Sequence, residues 1–164
     1  MTEAVDTFQS EASGSGVSVK AEIASGVPSV AFDGARILQV LCNLLSNALK
    51  FTPAQGAIVV RLDYVDDDVV CCVSDTGEGI PNEKLEVVFD RFVQLKKNDR
   101  RGVGLGLFIS KCIVQGHGGR IWAENSTGRG STFCFTLPFA RVLVTPGRKI
   151  AHSHPVARPG GAQK

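Results

Sequence analysis

Apolar residues in the middle of the chain recur with the spacing of one helical face. These positions are Ile37, Val40, Leu41, Leu44, Leu45 and Ala48. Asp33, just before them, is a favoured helix N-cap residue. Proline disfavours the helical conformation in the residue before it, so Thr52-Pro53 should end the helix. The pattern therefore predicts an amphipathic helix over residues 34–50.

Other segments alternate apolar with polar residues or form short apolar runs, which is typical of strands. The predicted strands are residues 17–23, 29–32, 57–64, 69–74, 120–124 and 131–137. Acidic residues 66–68 and the glycine-rich residues 127–130 should turn two hairpins. Shorter helices are predicted over residues 2–12, 83–89 and 105–114. This mixed order favours a two-layer α/β (α+β) sandwich, with a mixed, mostly antiparallel sheet covered on one face by helices.

Composition and charge narrow the class of protein. The 164 residues suffice for one domain with a sizeable core, and 43% hydrophobic with 21% charged residues fits a folded globule. A net charge of +2 gives no global basic field, so we expect no nucleic-acid partner. No apolar run reaches the roughly 20 residues of a membrane span. We expect no membrane contact from this segment and a cytoplasmic location.

The five cysteines do not form a metal-binding pattern. Cys42, Cys71, Cys72, Cys112 and Cys134 include no Cys-x-x-Cys pair, and four of them lie inside apolar runs. They are predicted to be buried free thiols in a reducing cytosol. Cys71 and Cys72 should point to opposite faces of their strand.

Three polar residues share one face of the central helix. Asn43, Asn47 and Lys50 are spaced i, i+4 and i+7, away from the apolar face. Carboxamide oxygens suit Mg²⁺, and an ammonium group suits phosphate. Taken alone, an ordinary polar helix face remains the more frequent explanation of this pattern.

Two glycine-rich segments and a basic loop follow. Asp75 ends an apolar strand, and Gly77 and Gly79 follow it. The two glycines would let a flat ligand approach the backbone closely. The Asp75 carboxylate would then accept a hydrogen bond from an amine of that ligand. The alternative is a simple turn. Residues 102–107 open a helix and suit phosphate, although their spacing fits neither the dinucleotide fingerprint nor the P-loop. Residues 91–101 are either a solvated basic loop or a lid over phosphates.

In this order, the four features resemble the four conserved boxes of the histidine kinase catalytic domain. That domain belongs to the wider ATPase group of gyrase, the Hsp90 chaperones and the MutL repair proteins, which share the Bergerat-type ATP-binding fold. Residues 39–53 resemble the N box, 75–80 the first glycine box, 88–92 the F box and 102–107 the second glycine box. Residues 116–121 and 128–133 resemble the closing helix and hairpin, so that the resemblance covers about residues 16–138.

The resemblance implies a role for each matching residue. Asn43 would coordinate Mg²⁺ and Asn47 would contact Mg²⁺ or phosphate. Lys50 would reach the phosphates, and Arg91 would assist the γ-phosphate or dock on the acceptor-histidine helix. Asp75 would bind the adenine amine. The other residues expected to bind the nucleotide are Phe51, Gly77, Gly79, Ile80, Phe89, Gly102, Val103, Gly104, Leu105, Gly106, Leu107 and Thr132.

The function implied is that of the ATP-binding catalytic domain of a two-component sensor histidine kinase. It would deliver the γ-phosphoryl group of ATP to a histidine on a dimerisation domain that is not in this chain, upstream of a response regulator. In the family, the acceptor histidine is followed by Glu or Asp. None of the three histidines of this chain is followed by either residue: His117, His152 and His154. Asn43 replaces the glutamate that activates water in gyrase-like relatives, which disfavours hydrolysis.

The resemblance also implies a division of the chain and leaves two alternatives open. Residues 1–15 would be a helix or linker following the dimerisation domain, 16–140 the ATP-binding domain, and 141–164 a basic, flexible tail. We expect a monomer.

The predicted lid departs from the family's pattern: Arg101 stands where many relatives have glycine, and the lid is short. Both departures bear on lid closure rather than on ATP binding. The alternatives are a non-catalytic ATP-binding or docking module and an anti-sigma-type serine kinase.

Overall fold

A five-stranded sheet and three helices form two layers in the computed structural model, which describes residues 2–28, 31–94, 104–126 and 129–139. The described elements are α1 (Thr2–Gly14), β1 (Ser18–Ile23), α2 (Gly34–Phe51), β2 (Ala57–Val65), β3 (Asp68–Asp75), α3 (Gly106–Gly116), β4 (Ile121–Asn125) and β5 (Ser131–Pro138). The helices pack on one face of the sheet around a shared core. The predicted α/β sandwich is confirmed.

The strands are arranged in the order β1-β2-β3-β5-β4. The β1–β2 pair is parallel and the other three pairs are antiparallel, as predicted for a mixed, mostly antiparallel sheet. Asp66 and Asp67 turn the β2–β3 hairpin with φ of 49° and 66°. Aspartate tolerates this left-handed conformation better than most side chains, which is why the acidic turn forms a tight hairpin.

The core lies between α2 and the inner face of the central strands. Alternate residues of β2, β3 and β5 point inward, among them Ile58, Val73 and Phe135, each at most 1% exposed. Leu44 and Leu45 of α2 are fully buried against them. Each such side chain contributes roughly 1.5–3 kcal/mol of hydrophobic free energy. The α2 helix is therefore fixed by its apolar face.

Both ends of α2 are capped as its sequence predicts. The Asp33 carboxylate accepts a hydrogen bond from the Arg36 N–H at 3.1 Å. At the other end, the Thr52 hydroxyl donates to the Ala48 carbonyl at 2.7 Å, and the chain leaves the helix before Pro53. The helix is one residue longer than predicted, and its register is fixed at both termini.

The α1 helix belongs to the core of the domain. Ala4, Val5, Phe8 and Ala12 are buried against β1 and α2. The apolar face of α1 is thus covered by the same core as the strands and α2.

Two predicted elements differ from the structure. The segment 83–89 forms only a 3-10 turn at Asn82–Lys84 followed by further turns, because so short a helix gains too few hydrogen bonds to offset its nucleation. Of the predicted strand 29–32, Ser29 and Val30 lie outside the described residues, and Ala31 and Phe32 form no strand. The β1 strand is present, but it lies at the sheet edge, where Ile23 is 55% exposed rather than half-buried.

The prediction of five free thiols is wrong for Cys72 and Cys134, which form a disulfide. The β3–β5 register places them directly opposite each other, on the sheet face away from the helices. Cys71 points to the core and is free, as predicted, and burial raises the pKa of its thiol to about 12. Cys42 is free and half-buried, and desolvation raises the pKa of its thiol. Cys112 is free, as predicted, but it is exposed, so the prediction of burial is wrong for this residue.

Removing the disulfide should lower the free energy of unfolding. It closes a loop of 62 residues in the unfolded chain, so replacing both Cys72 and Cys134 by alanine should destabilise the domain by about 2–4 kcal/mol. Urea denaturation under non-reducing conditions measures this difference. The Cys112→Ala variant is the control and should unfold as the unmodified chain does. Five reactive thiols in the denatured, unreduced protein would contradict the disulfide.

Within the part of the chain that the structure describes, no helix combines the length and the apolar character needed to cross a bilayer.

Candidate functional site

A cavity of about 330 Å³ lies between α2, the loop that follows β3 and the N-terminus of α3. It brings together most of the residues singled out in the sequence. Those lining it are Asn43, Asn47, Lys50, Phe51, Asp75, Gly79, Ile80, Gly104, Leu105, Gly106 and Leu107. Ser46, Val88, Val93, Gln94, Ser131 and Phe133 complete the described lining. Residues separated by up to 90 positions in the chain therefore form one site.

The polar face of α2 forms one wall of this cavity. Asn43, Asn47 and Lys50 are half-buried there, because the opposite face of the helix is held by the core. The Asn43 amide nitrogen donates to the Gly106 carbonyl at 3.1 Å and to the Ser110 hydroxyl at 3.2 Å. The Lys50 ammonium lies 5.1 Å from the centre of the Phe51 ring. This wall supplies carboxamide oxygens and one cation.

Asp75 lies at the other end of the cavity, where β3 ends. It is 4% exposed, and both carboxylate oxygens are held. One accepts from the Gly77 N–H at 2.7 Å, and the other accepts from the Ser131 hydroxyl at 2.6 Å. Each carboxylate oxygen has a second acceptor position. A buried, oriented carboxylate of this kind can bind an amine at the edge of a flat base.

The loop after β3 requires glycine for steric reasons. A Cβ on Gly77 would overlap the carbonyl oxygen of Phe51, so the loop can lie against the end of α2 only without a side chain there. Gly79 adopts a φ of +79°, which L side chains rarely adopt. Gly77 itself lies beside the cavity, next to Phe51, rather than in its lining.

The sequence gives no indication of the side chain that anchors this loop. Asn125, at the end of β4, accepts from the Ile80 N–H at 2.8 Å and donates to the Ile80 carbonyl at 2.7 Å. It also donates to the side chain of Asn82 at 3.0 Å. Asparagine can satisfy both backbone groups of one residue because its amide carries a donor and an acceptor. The loop is thereby fixed to the far edge of the sheet.

Replacing Asn125 by alanine should loosen the base-binding end of the cavity. Two backbone hydrogen bonds at Ile80 are lost, and a loss of about 1–3 kcal/mol in the free energy of unfolding is expected. Nucleotide affinity should fall several-fold, because the loop must be reordered on binding. The Asn82→Ala variant removes only the third bond and should change both quantities little. Equal effects of the two variants, measured by denaturation and calorimetry, would contradict an anchoring role of Asn125.

The structure places Thr132 outside the cavity, contrary to its predicted contact with the nucleotide. Its hydroxyl lies on the outer face of the sheet, 3.0 Å from the Ser74 hydroxyl and 3.1 Å from that of Ser126. Successive residues of a strand point to opposite faces, so Ser131 occupies the cavity instead. The neighbouring position in the same motif is the one that contacts Asp75.

Two residues of the F box, Phe89 and Arg91, lie outside the lining of the cavity. Phe89 is 4% exposed and packs edge-on against Phe133, with ring centres 6.1 Å apart. Arg91 is exposed, its guanidinium 4.5 Å from the centre of the Phe108 ring, and it does not line the cavity. Two residues predicted to contact the phosphates lie outside the described residues, namely Gly102 and Val103. The same is true of four cations of the predicted lid, Lys96, Lys97, Arg100 and Arg101.

The donor set of the cavity fits Mg²⁺ bound together with phosphates. Within the described ranges, no three His, Cys, Asp or Glu side chains are grouped so that they could hold a metal ion. The side-chain oxygens on the α2 wall are the carboxamides of Asn43 and Asn47 and the hydroxyl of Ser46. Magnesium accepts oxygen ligands and keeps several waters or phosphate oxygens, so it needs few protein ligands.

Comparison with known proteins links this site to one family. The family model described as "Histidine kinase-, DNA gyrase B-, and HSP90-like ATPase" matches residues 32–141. The adaptive-response sensory kinase SasA of Synechococcus elongatus is 42% identical over 122 residues, which cover 73% of this chain and 32% of SasA. The chain thus spans about a third of the length of this curated relative.

Solved structures show the same fold. The catalytic domain of the histidine kinase ThkA is 32% identical, with a TM-score of 0.76, covering 84% of this chain and 89% of that domain. ThkA has also been solved in complex with the response regulator protein TrrA. Full-length ShkA in complex with AMPPNP is 29% identical, with a TM-score of 0.76, and this chain covers 29% of its length.

Proposed function

Because the chain belongs to the family of histidine kinase-, DNA gyrase B- and HSP90-like ATPases, we propose that it binds Mg-ATP as the catalytic domain of a sensor histidine kinase. It transfers the γ-phosphoryl group to a histidine on a dimerisation domain, from which a response regulator takes it. The fold is shared with the catalytic domain of ThkA. The expected place of action is the cytoplasm, where Mg-ATP is available.

One observation carries this proposal: the two ends of a single cavity suit the two ends of ATP. At one end, the Asp75 carboxylate is held by Gly77 and Ser131 and can accept the amine of adenine. Towards α3, Asn43 offers a metal-binding oxygen, and Lys50, on the same face of α2, offers a cation for the phosphates. A family relative, ShkA, was solved with the ATP analogue AMPPNP, which agrees with this use of the cavity.

The charges along the cavity favour phosphoryl transfer over hydrolysis. Asp75 is the only carboxylate among the described residues that line it, and both of its oxygens are tied at the base end. Asn43 has no basic carboxylate, so no described lining residue near the α2 wall can activate water. The residues of the wall instead orient the phosphates by charge and metal coordination. The γ-phosphoryl group is thereby kept for a protein nucleophile.

The acceptor histidine is proposed to lie on another domain. His117 uses both ring nitrogens within the fold: Nδ1 lies 2.8 Å from the Ile113 carbonyl, and Nε2 accepts from the Asp33 N–H at 3.3 Å. It does not line the cavity. His152 and His154 lie outside the described residues. Arg91, exposed beside the cavity, is suited to contact an incoming domain or the γ-phosphate as it reacts.

Two measurements test the proposal. The first is calorimetry with ATP in the presence and absence of Mg²⁺. The second is an assay of phosphoryl transfer to a supplied histidine-bearing dimerisation domain. We expect Mg-dependent binding and an acid-labile phosphate on that domain. Absence of Mg-dependent binding would rule the proposal out. Binding without transfer would favour a docking module, and an acid-stable phosphate on the partner would favour a serine kinase of the anti-sigma type.

A further inference from the structure

A closed ring of hydrogen bonds links the α2 wall of the cavity to α3. The Asn43 amide nitrogen donates to the Gly106 carbonyl at 3.1 Å and to the Ser110 hydroxyl at 3.2 Å. The Ser110 hydroxyl in turn donates to the Gly106 carbonyl at 2.9 Å. Ser110 is completely buried. The ring therefore joins three polar groups from two helices, away from solvent.

A serine in a helix often bonds to the carbonyl four residues earlier, which explains only one of the three bonds. That bond uses the single proton of the Ser110 hydroxyl, so the oxygen offers Asn43 only acceptor positions. The Gly106 carbonyl is likewise an acceptor only. Both partners therefore select the –NH₂ end of the Asn43 carboxamide, and the carbonyl end lies on the opposite side of the amide group.

We propose that Ser110 is a positioning residue for Asn43. By accepting the amide proton, it keeps the Asn43 oxygen directed to the metal, and without it the carboxamide is free to rotate and present its –NH₂ end. The inference rests on the proposed function, since it assigns Asn43 as a ligand of Mg²⁺. It adds that the orientation of this ligand is set from α3, a helix that begins at Gly106, in the lining of the cavity.

The same ring explains why asparagine suits this position better than aspartate. An aspartate at position 43 would place a carboxylate oxygen against the Gly106 carbonyl, which is acceptor against acceptor. The Ser110 hydroxyl has one proton and cannot serve both groups. Amide hydrogens are needed to close the ring.

The test measures ATP affinity of the Ser110→Ala variant in Mg²⁺ and in EDTA. The quantity compared is the affinity in Mg²⁺ divided by the affinity in EDTA. Loss of a group that orients a metal ligand costs about 10–100-fold in metal affinity. Because the Gly106 carbonyl remains as an acceptor, we expect the lower end, a ratio reduced about 10-fold. Affinity in EDTA should stay within about twofold of the unmodified chain, since the base end of the cavity is untouched.

A matched control removes an equivalent bond elsewhere. Thr52→Val deletes the buried hydroxyl that donates to the carbonyl four residues earlier in α2, with no bond to Asn43. This variant should leave the ratio unchanged. Ser110→Thr, which keeps the hydroxyl, should restore it. Thermal unfolding shows whether each variant is folded, and Ser110→Cys, a weaker acceptor, takes the place of Ser110→Ala if that variant does not fold.

The outcomes separate the two proposals. An unchanged ratio in folded Ser110→Ala, or an equal loss of affinity in EDTA and in Mg²⁺, would overturn the positioning role while leaving the proposed function intact. Absence of Mg-dependent binding in the unmodified chain would overturn both.

Discussion

Replacing Asp75 by alanine should weaken ATP binding by roughly 10–150-fold, the value of a hydrogen bond to a charged group of 1.5–3 kcal/mol. The carboxylate is buried and fixed by Gly77 and Ser131, so it is oriented before the base arrives. Its loss removes the acceptor of the adenine amine and leaves the Ser131 hydroxyl without this partner. Calorimetry with Mg-ATP measures the change.

A second nucleotide shows whether Asp75 selects the base. ITP carries an oxygen where ATP carries the amine, so the unmodified chain should prefer ATP, and Asp75→Ala should lose that preference. Glu86→Gln neutralises an exposed carboxylate outside the cavity and should bind ATP normally. A preference for ATP that survives in a folded Asp75→Ala variant would assign base recognition to other residues. Thermal unfolding checks that the variant is folded.

Replacing Asn43 by alanine should slow phosphoryl transfer by at least about 100-fold, since even groups that only orient metal ligands are worth 10–100-fold. The substitution removes a metal-binding oxygen from the α2 wall and opens the ring with Gly106 and Ser110. ATP affinity measured in EDTA should change little, because Asp75, the residue proposed to bind the base, is unchanged. Single-turnover transfer to a supplied dimerisation domain gives the rate.

The control for Asn43 lies one helical turn earlier. Gln39 precedes it by four residues on α2 and does not line the cavity, so Gln39→Ala should transfer at the normal rate. If Asn43→Ala transferred as fast as Gln39→Ala, Asn43 would have no role in metal binding. A large loss of affinity in EDTA would instead indicate that the substitution disturbs the whole cavity.

Features that depend on neighbouring residues followed from the sequence. The α2 helix begins after Asp33 and ends before Pro53 because caps and proline act locally. The β2–β3 hairpin forms at Asp66 and Asp67 for the same reason. The polar face of α2 faces the cavity because helical spacing alone places its residues on one side. The match to a family then indicated which ligand such a face binds.

Features that depend on distant segments did not follow from the sequence. Thr132 was expected to contact the nucleotide, whereas Ser131 lines the cavity, since a shift of one residue in a strand exchanges the two faces. The β3–β5 register also brings Cys72 opposite Cys134, which no local pattern indicates. Asn125 gives no signal in the sequence, because its partner Ile80 is 45 residues away.

The sequence by itself therefore determined the main elements, the order of the strands and helices along the chain, and the residue types that suit Mg-ATP. The tertiary structure decided which atoms of those residues are held, and by which partners. Asp75 is held by Ser131, the loop after β3 by Asn125, and Asn43 by Ser110. The physical reason is that hydrophobic periodicity and capping act over a few residues, whereas strand register and helix packing join segments separated by tens of residues.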